Sequence, residues 1–314
     1  MNVLKSLALA ALASVALAGV SQAQESYKFA VVPKAMNNPF FDLTRDGCMA
    51  EAKKLGNVEC IYQGPVEHEP ATQAQIIDDL ITQGVDGLAI SVSDAAAATT
   101  MIDKAAAAGI AVITFDSDAS ESKRSAYVGT NNKDFGKALG EELLKLKPEG
   151  GTYGMISGGA AAPNLAERVD GVREALAGSK WTEVPGSPTF SNDDVTLAVQ
   201  QAGDLKTANP DIGAIVPVGG WPMFAPDGWK NFVDPIKADV DSKKLALVVA
   251  DTLPVQLELL RDGYANALVG QRPYEMGEVA MQTLLKLKKG EKVDEIIYTG
   301  LDRVTAANVG EFLK

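Results

Sequence analysis

The chain has 314 residues, 46% of them hydrophobic, with 41 Asp and Glu against 29 Lys and Arg and a formal net charge of −12 at pH 7. Its length suits two ordinary domains of about 100 to 200 residues each, and its acidic field argues against nucleic acid as a partner, because phosphate binding rests on clustered Lys and Arg. The two cysteines, Cys48 and Cys60, leave none for a cysteine-built metal cluster.

Residues 1–23 concern an address. Lys5 supplies positive charge, Leu7 to Val20 is an apolar run, and Ser21-Gln22-Ala23 offers small residues at the cleavage positions, the pattern of a secretory signal peptide. The run falls short of the roughly 20 apolar residues that span a bilayer. Cleavage is expected after Ala23, and no later stretch is apolar enough to span. The mature chain is therefore expected to be soluble and to fold in an oxidising compartment, where a disulfide persists. Cys48 falls on a predicted helix and Cys60 on the next strand, so a bridge is open to them; two buried free thiols fit equally well.

From Tyr27 onward, short apolar strands alternate with amphipathic helices: strand Tyr27 to Pro33, helix Phe40 to Gly56, strand Val58 to Tyr62, helix Pro70 to Gly84, strand Gly87 to Val92, helix Ala95 to Gly109 and strand Ala111 to Phe115. Gly56, Gly84 and Gly109 stand where helices are capped at their C-termini. After Asn131 the pattern restarts with helix Asp134 to Leu146, strand Thr152 to Ser157, helices Asn164 to Leu176 and Val195 to Ala208, and strands Ile212 to Val218 and Leu245 to Ala250. Helix Pro254 to Asp262, strand Asn266 to Val269 and helix Tyr274 to Lys288 complete it. Near-continuous apolar strands separated by helices indicate parallel βαβ units. Two sets of them predict an α/β protein of two doubly wound parallel-sheet lobes, whose ligands bind beyond the carboxyl ends of the strands.

The strand exits share a chemistry. Lys34, Asn37, Asn38, Phe40 and Phe41 follow the first strand; Asp116, Ser117 and Asp118 follow Phe115; Gly219, Gly220 and Trp221 follow Val218; Asp251 follows Ala250; Gln271 and Arg272 follow Gly270. Carboxylates, amides and guanidinium groups are fixed acceptors and donors for hydroxyls, and aromatic faces exclude water from such bonds. The set suits a sugar or polyol better than a lipid or a peptide.

Specific motifs carry a resemblance: N-N-P-F-F at Asn37 to Phe41, A-V-I-T-F-D-S-D at Ala111 to Asp118, N-P-D at Asn209 to Asp211 and G-Q at Gly270 to Gln271. From Tyr27 to Lys292 the chain resembles the periplasmic sugar-binding proteins of ABC importers, in the ribose-binding-like group that includes the autoinducer-2 and rhamnose receptors. V-P-K at Val32 to Lys34, Y-Q-G-P at Tyr62 to Pro65 and D-S-D look most like the autoinducer-2 and rhamnose branch. The resemblance implies a type I periplasmic binding protein fold with a multi-strand hinge near Tyr127 to Asn131, Gly270 to Pro273 and Tyr298 to Leu301. It implies an N-terminal lobe of residues 24–128 plus 272–298 and a C-terminal lobe of 129–271 plus 299–314. Asn38, Phe40, Phe41 and Asp116 would line one wall; Arg168, Asp193, Asp251 and Gln271 the other; Lys34 and Pro217 match contacts of the autoinducer-2 branch. Ser117 stands where ribose-type proteins carry arginine, and Gly219-Gly220-Trp221 where they carry an Asn-Asp pair, so ribose itself is not implied. The expected partners are one monosaccharide or polyol and a membrane permease, with the chain a periplasmic monomer without cofactor or metal. A receptor for a small diol signal such as autoinducer-2 is the alternative.

Each candidate has a plainer reading. Asp116 could cap a turn, although a second carboxylate at Asp118 favours ligand contact for both. Arg168 could pair with Glu167 or Asp170 at the surface for about 1 kcal/mol or less. One of Phe40 and Phe41 could simply pack inward. Trp221 and Trp229 flank W-P-M-F-A-P-D-G-W, a lid or a loop core. The single histidine, His68, lies in the acidic loop E-H-E-P and is expected to be solvated. No G-x-S-x-G, H-E-x-x-H, Walker-type or G-x-G-x-x-G motif is present, so catalysis has no foothold.

Overall fold

The computed structural model describes residues 25–313; the expected leader, residues 1–23, lies outside them. The first half of the chain builds β1 (Tyr27–Val32), α1 (Pro39–Leu55), β2 (Val58–Tyr62), α2 (Pro70–Gln83), β3 (Gly87–Ile90), α3 (Ala95–Ala107), β4 (Ala111–Phe115) and β5 (Ala126–Gly129). Five of the six β1 residues are buried, as expected of a parallel strand covered by helices on both faces. Asn38 starts α1 by accepting from the Phe40 N–H at 3.0 Å, and Asp94 starts α3 by accepting from Ala97 at 2.8 Å, each satisfying a donor that a helix N-terminus leaves free.

The second half builds α4 (Asn132–Leu146), β6 (Gly151–Ser157), α5 (Pro163–Leu176), β7 (Trp181–Glu183), β8 (Thr189–Phe190), α6 (Val195–Ala208), β9 (Ala214–Pro217), α7 (Trp221–Phe224), α8 (Pro226–Val233) and α9 (Lys237–Asp241). It continues through β10 (Ala246–Ala250), α10 (Pro254–Arg261), β11 (Ala267–Gly270), α11 (Pro273–Lys288), β12 (Ile296–Tyr298) and β13 (Asp302–Thr305).

These strands form two sheets. The first runs β12-β5-β4-β3-β1-β2 and is parallel throughout. The second runs β13-β11-β10-β9-β6-β7, with β8 also paired to β6; all its pairings are parallel except that of β13, which is antiparallel to β11. The chain therefore passes between sheets three times, after β5, after β11 and between β12 and β13. Although it follows β11, α11 packs on the first sheet: Met276, Met281 and Leu284 share a core with Phe29, Val31 and Ile113.

The long elements stand where the periodicity predicts them, within two residues at each end. The differences lie in short pieces. β7, β8, β12 and β13 are strands of two to four residues, too brief to show a period of two. W-P-M-F-A-P-D-G-W is not a loop but the helices α7 and α8, with Pro222 and Pro226 in their first turns, where a missing N–H costs nothing. Trp229 is fully buried among Val233, Val240 and Leu260 and donates its indole N–H to the Tyr264 carbonyl at 2.9 Å.

Cys48 on α1 and Cys60 on β2 are bridged, with Cα atoms 6.0 Å apart, which resolves the choice that the sequence leaves open. The bridge pins the helix whose first turn carries Asn38, Phe40 and Phe41. Closing a loop of 12 residues stabilises by about 3 kcal/mol on the chain-entropy account. Cys48→Ser/Cys60→Ser is expected to melt about 5 °C or more below the parent, and a reducing agent to lower the parent's Tm but not the variant's. Equal melting with and without reductant would show that the bridge contributes nothing.

Candidate functional site

The carboxyl ends of the two sheets face one another, and ten side chains expected at the site line one cavity between them. Lys34, Asn38, Phe40, Phe41 and Asp116 come from the first half, and Arg168, Asp193, Trp221, Asp251 and Gln271 from the second or its exit. Asn164, Leu165 and Gly219 complete the lining. The free volume at its centre is about 20 Å³, room for little more than one water.

The two central carboxylates are set in matching ways. Asp116 follows β4 with φ 57°, and Asp251 follows β10 with φ 73°, left-handed conformations uncommon outside glycine. The Asp116 N–H donates to Val128 on the neighbouring β5 at 3.1 Å, and the Asp251 N–H to Val269 on the neighbouring β11 at 2.6 Å. The strand-end turn thus aims each carboxylate across the cleft while its backbone stays in the ladder.

Arg168 joins the halves. It projects from the second turn of α5, which lies so close to α4 that a Cβ on Gly136 would stand 2.0 Å from the Arg168 carbonyl oxygen. Its guanidinium sits 4.6 Å above the Phe135 ring and donates to Asn132 Oδ1 at 2.8 Å, the Val218 carbonyl at 3.1 Å and Gln271 Oε1 at 2.8 Å. From that clamp it reaches Asp116 Oδ1 at 3.6 Å. Lys34 Nζ lies 3.3 Å from Asp116 Oδ2, which also accepts from the Ser91 hydroxyl at 2.6 Å. Gln271 Nε2 then donates to Asp251 Oδ1 at 2.8 Å, and the Gly220 N–H to Asp251 Oδ2 at 3.0 Å. Two cations and three carboxylates, all at most 6% exposed, give the cavity a formal charge of −1, with both cations already paired to Asp116. Ligands rich in hydroxyls match such a site, whereas an anion would add a buried charge without a partner.

Both phenylalanines line the cavity and still pack inward. Phe40 meets Phe41 edge to face at 5.1 Å, and Phe41 meets Phe115 likewise at 6.1 Å.

Asp118 and Pro217 do not join the set. Arg124, six residues on, takes the Asp118 carboxylate in a two-pronged grip at 2.6 and 2.7 Å, and the Thr114 hydroxyl adds a third bond at 2.5 Å. Pro217 ends β9 inside the sheet, in register with Ile156. His68 is buried rather than solvated, its Nδ1 3.0 Å from Asn192 Oδ1 on the other half. Asn164 escaped the sequence reading. Its Oδ1 accepts from Lys34 at 3.2 Å and its Nδ2 donates to Asp116 at 3.3 Å. The signal was present: Pro163 opens a helix after β6, and Asn164 lies four residues before Arg168, on the same helix face.

A family profile described as "Periplasmic binding protein domain" matches residues 29–292. The chain belongs to this family. Among curated relatives is the ribose import binding protein of Escherichia coli, 29% identical over 264 residues, 84% of this chain and 86% of that one. A solute binding protein of an ABC transporter from Burkholderia graminis, solved with D-arabinose, superposes with a TM-score of 0.84 at 31% identity, covering 92% of this chain and 99% of its own. A second, from Agrobacterium vitis with bound D-fucose, superposes at 0.83 with 28% identity, covering 90% and 96%. Among the described residues, no helix is long and apolar enough to cross a membrane, and no group of His, Cys, Asp and Glu is arranged to hold a metal.

Burial, and secondarily the nearby Asp116 carboxylate, push the Asp251 pKa up, against the downward pull of Arg168, Gln271 and the Gly220 N–H. Because the folded value exceeds the ordinary 3.8, folding favours the protonated form. The stability Asp251 adds is full below that ordinary value and fades as pH rises through the folded one. The melting temperature of the parent minus that of Asp251→Ala is therefore expected to be larger at pH 4 than at pH 7. A difference that grows with pH would reverse this assignment.

Proposed function

We propose that the protein captures a neutral monosaccharide or polyol between two lobes and delivers it to the membrane permease of an ABC importer. The observation that carries this reading is the line Lys34–Asp116–Arg168–Gln271–Asp251, drawn from both sheets into one buried cavity. The bound D-arabinose and D-fucose of the two solved relatives favour a sugar over a small diol such as autoinducer-2. The relatives bind and import rather than catalyse, in keeping with a binding role here. Secretion to the periplasm would fall to the leader at residues 1–23.

The cavity of about 20 Å³ is far below the roughly 300 to 1,000 Å³ of ligand sites, so a sugar enters by exchanging contacts. Asp116 with Arg168, and Lys34 with Asn164, are bonds made directly between the halves. Sugar hydroxyls, each donor and acceptor, would take their places while the lobes separate by the ligand's thickness. We take the three inter-sheet connections as the hinge, with lobes 24–128 plus 272–298 and 129–271 plus 299–314, closing as periplasmic binding proteins do. Ligand favours closure only through contacts that are better in the closed form. Micromolar affinity needs about −8 kcal/mol, within reach of several charge-assisted hydrogen bonds at about 1.5 to 3 kcal/mol each.

The test is a thermal-shift screen of the mature protein against pentoses, hexoses, deoxyhexoses and polyols, since a ligand of the native state raises Tm, followed by titration calorimetry. Asp116→Ala and Arg168→Ala are each expected to weaken binding at least about tenfold with the circular dichroism spectrum unchanged. Parent-like affinity in both would remove the cavity from the binding role.

A further inference from the structure

The site does not stop at the inner cavity. On the solvent side of Asp193 lies a second, half-open chamber of about 700 Å³, walled by Asn37, Glu67 and His68 from the first half and by Asn192, Asp193 and Leu197 from the second, most of them exposed. Asp193 lines both spaces, and Asn37 adjoins Asn38 of the inner wall. Of these two spaces, the outer one falls within the roughly 300 to 1,000 Å³ typical of small-molecule sites.

Its walls are built and tied together. Asn192 and Asp193 are consecutive non-glycine residues with φ 52° and 62°, conformations that cost on the order of 1 to 3 kcal/mol each and persist where surroundings enforce them. This turn sends Asn192 across the cleft to His68, 3.0 Å from Nδ1, and Asp193 to the Gly159 N–H at 3.1 Å. A side chain at Gly158 would collide with it, a Cβ there standing 1.8 Å from Asp193 Oδ1. Because one wall comes from each half, the chamber exists only when the halves are apposed, so an occupant would add to closure.

The lining selects for chemistry. Amides donate to hydroxyls and accept from them, and carboxylates accept from them. Glu67, Glu69, Asp193 and Asp194 would repel an anionic group, and with Leu197 the one aliphatic side chain in the lining little holds a hydrophobic aglycone. We propose that this chamber is a second sugar subsite, and that the protein takes a neutral disaccharide or glycoside. One ring enters the inner cavity, Asp193 bonds hydroxyls at the junction, and the second polyhydroxylated ring occupies the chamber. This rests on the sugar-binding reading above and extends it from one ring to two.

The experiment titrates the parent by calorimetry with matched pairs sharing a unit: D-galactose against melibiose and lactose, D-glucose against maltose and cellobiose, and D-xylose against xylobiose. The expected result is at least one disaccharide bound about tenfold or more tighter than its monosaccharide, a gain of about 1.4 kcal/mol. Leu197→Trp, which fills the chamber from an exposed helical position, is expected to abolish that gain and leave the monosaccharide affinity unchanged; Gln200→Trp, at another lining position one turn on, repeats the test. Monosaccharides that bind while every disaccharide binds no tighter would overturn this subsite and leave the single-ring reading standing. A disaccharide gain that survives both tryptophans would also overturn it. If neither class binds, both readings fall together.

Discussion

The structure depends on satisfying the Asp116 carboxylate almost wholly out of water. Burying an ion costs several kcal/mol unless it is paired and hydrogen-bonded, and Asp116 meets that demand from both halves. Lys34 and Ser91 come from its own side, and Arg168 and Asn164 from the other. The groups that satisfy the carboxylate are therefore also those that hold the lobes together. On the proposed reading, an arriving sugar would have to supply equivalent donors, and one presenting a hydroxyl in the wrong direction would leave a buried charge short of a partner. Selectivity would then follow from the cost of unsatisfied charge more than from shape.

Rigidity on either side of that carboxylate has different sources. On the first half, the helix bearing Asn38, Phe40 and Phe41 is fastened by a disulfide at Cys48, an Asn cap and edge-to-face aromatic packing. On the second, Arg168 is held by three acceptors and a ring face, so its position is fixed before any ligand contact. Preorganised groups lose little freedom on binding. On the proposed closure, the adaptable part would be the angle between the lobes, governed by the three inter-sheet connections of the described residues.

Much of this was legible from residue order. Apolar runs of four to six residues separated by amphipathic helices specify parallel units, and the rule that ligands sit beyond strand ends picks out Lys34, Asp116, Asp251 and Gln271 without further knowledge. What could not be read depended on neighbours distant in sequence or on local competition for a charge. Asp118 has the composition of a site residue, yet Arg124 claims it. His68 looks like a surface histidine in an acidic loop until Asn192, more than a hundred residues on, covers it. Asn164 was recoverable, because its spacing from Arg168 places the two on one helix face.

The three passages of the chain between sheets bear on how the molecule comes into being. β12, the last strand of the first sheet, lies at residues 296–298, and β13, the edge of the second, at 302–305. Neither sheet can gain its final strand without residues 296–305. A fragment that stops short of them leaves both halves unfinished, and a single proteolytic cut cannot release either half intact.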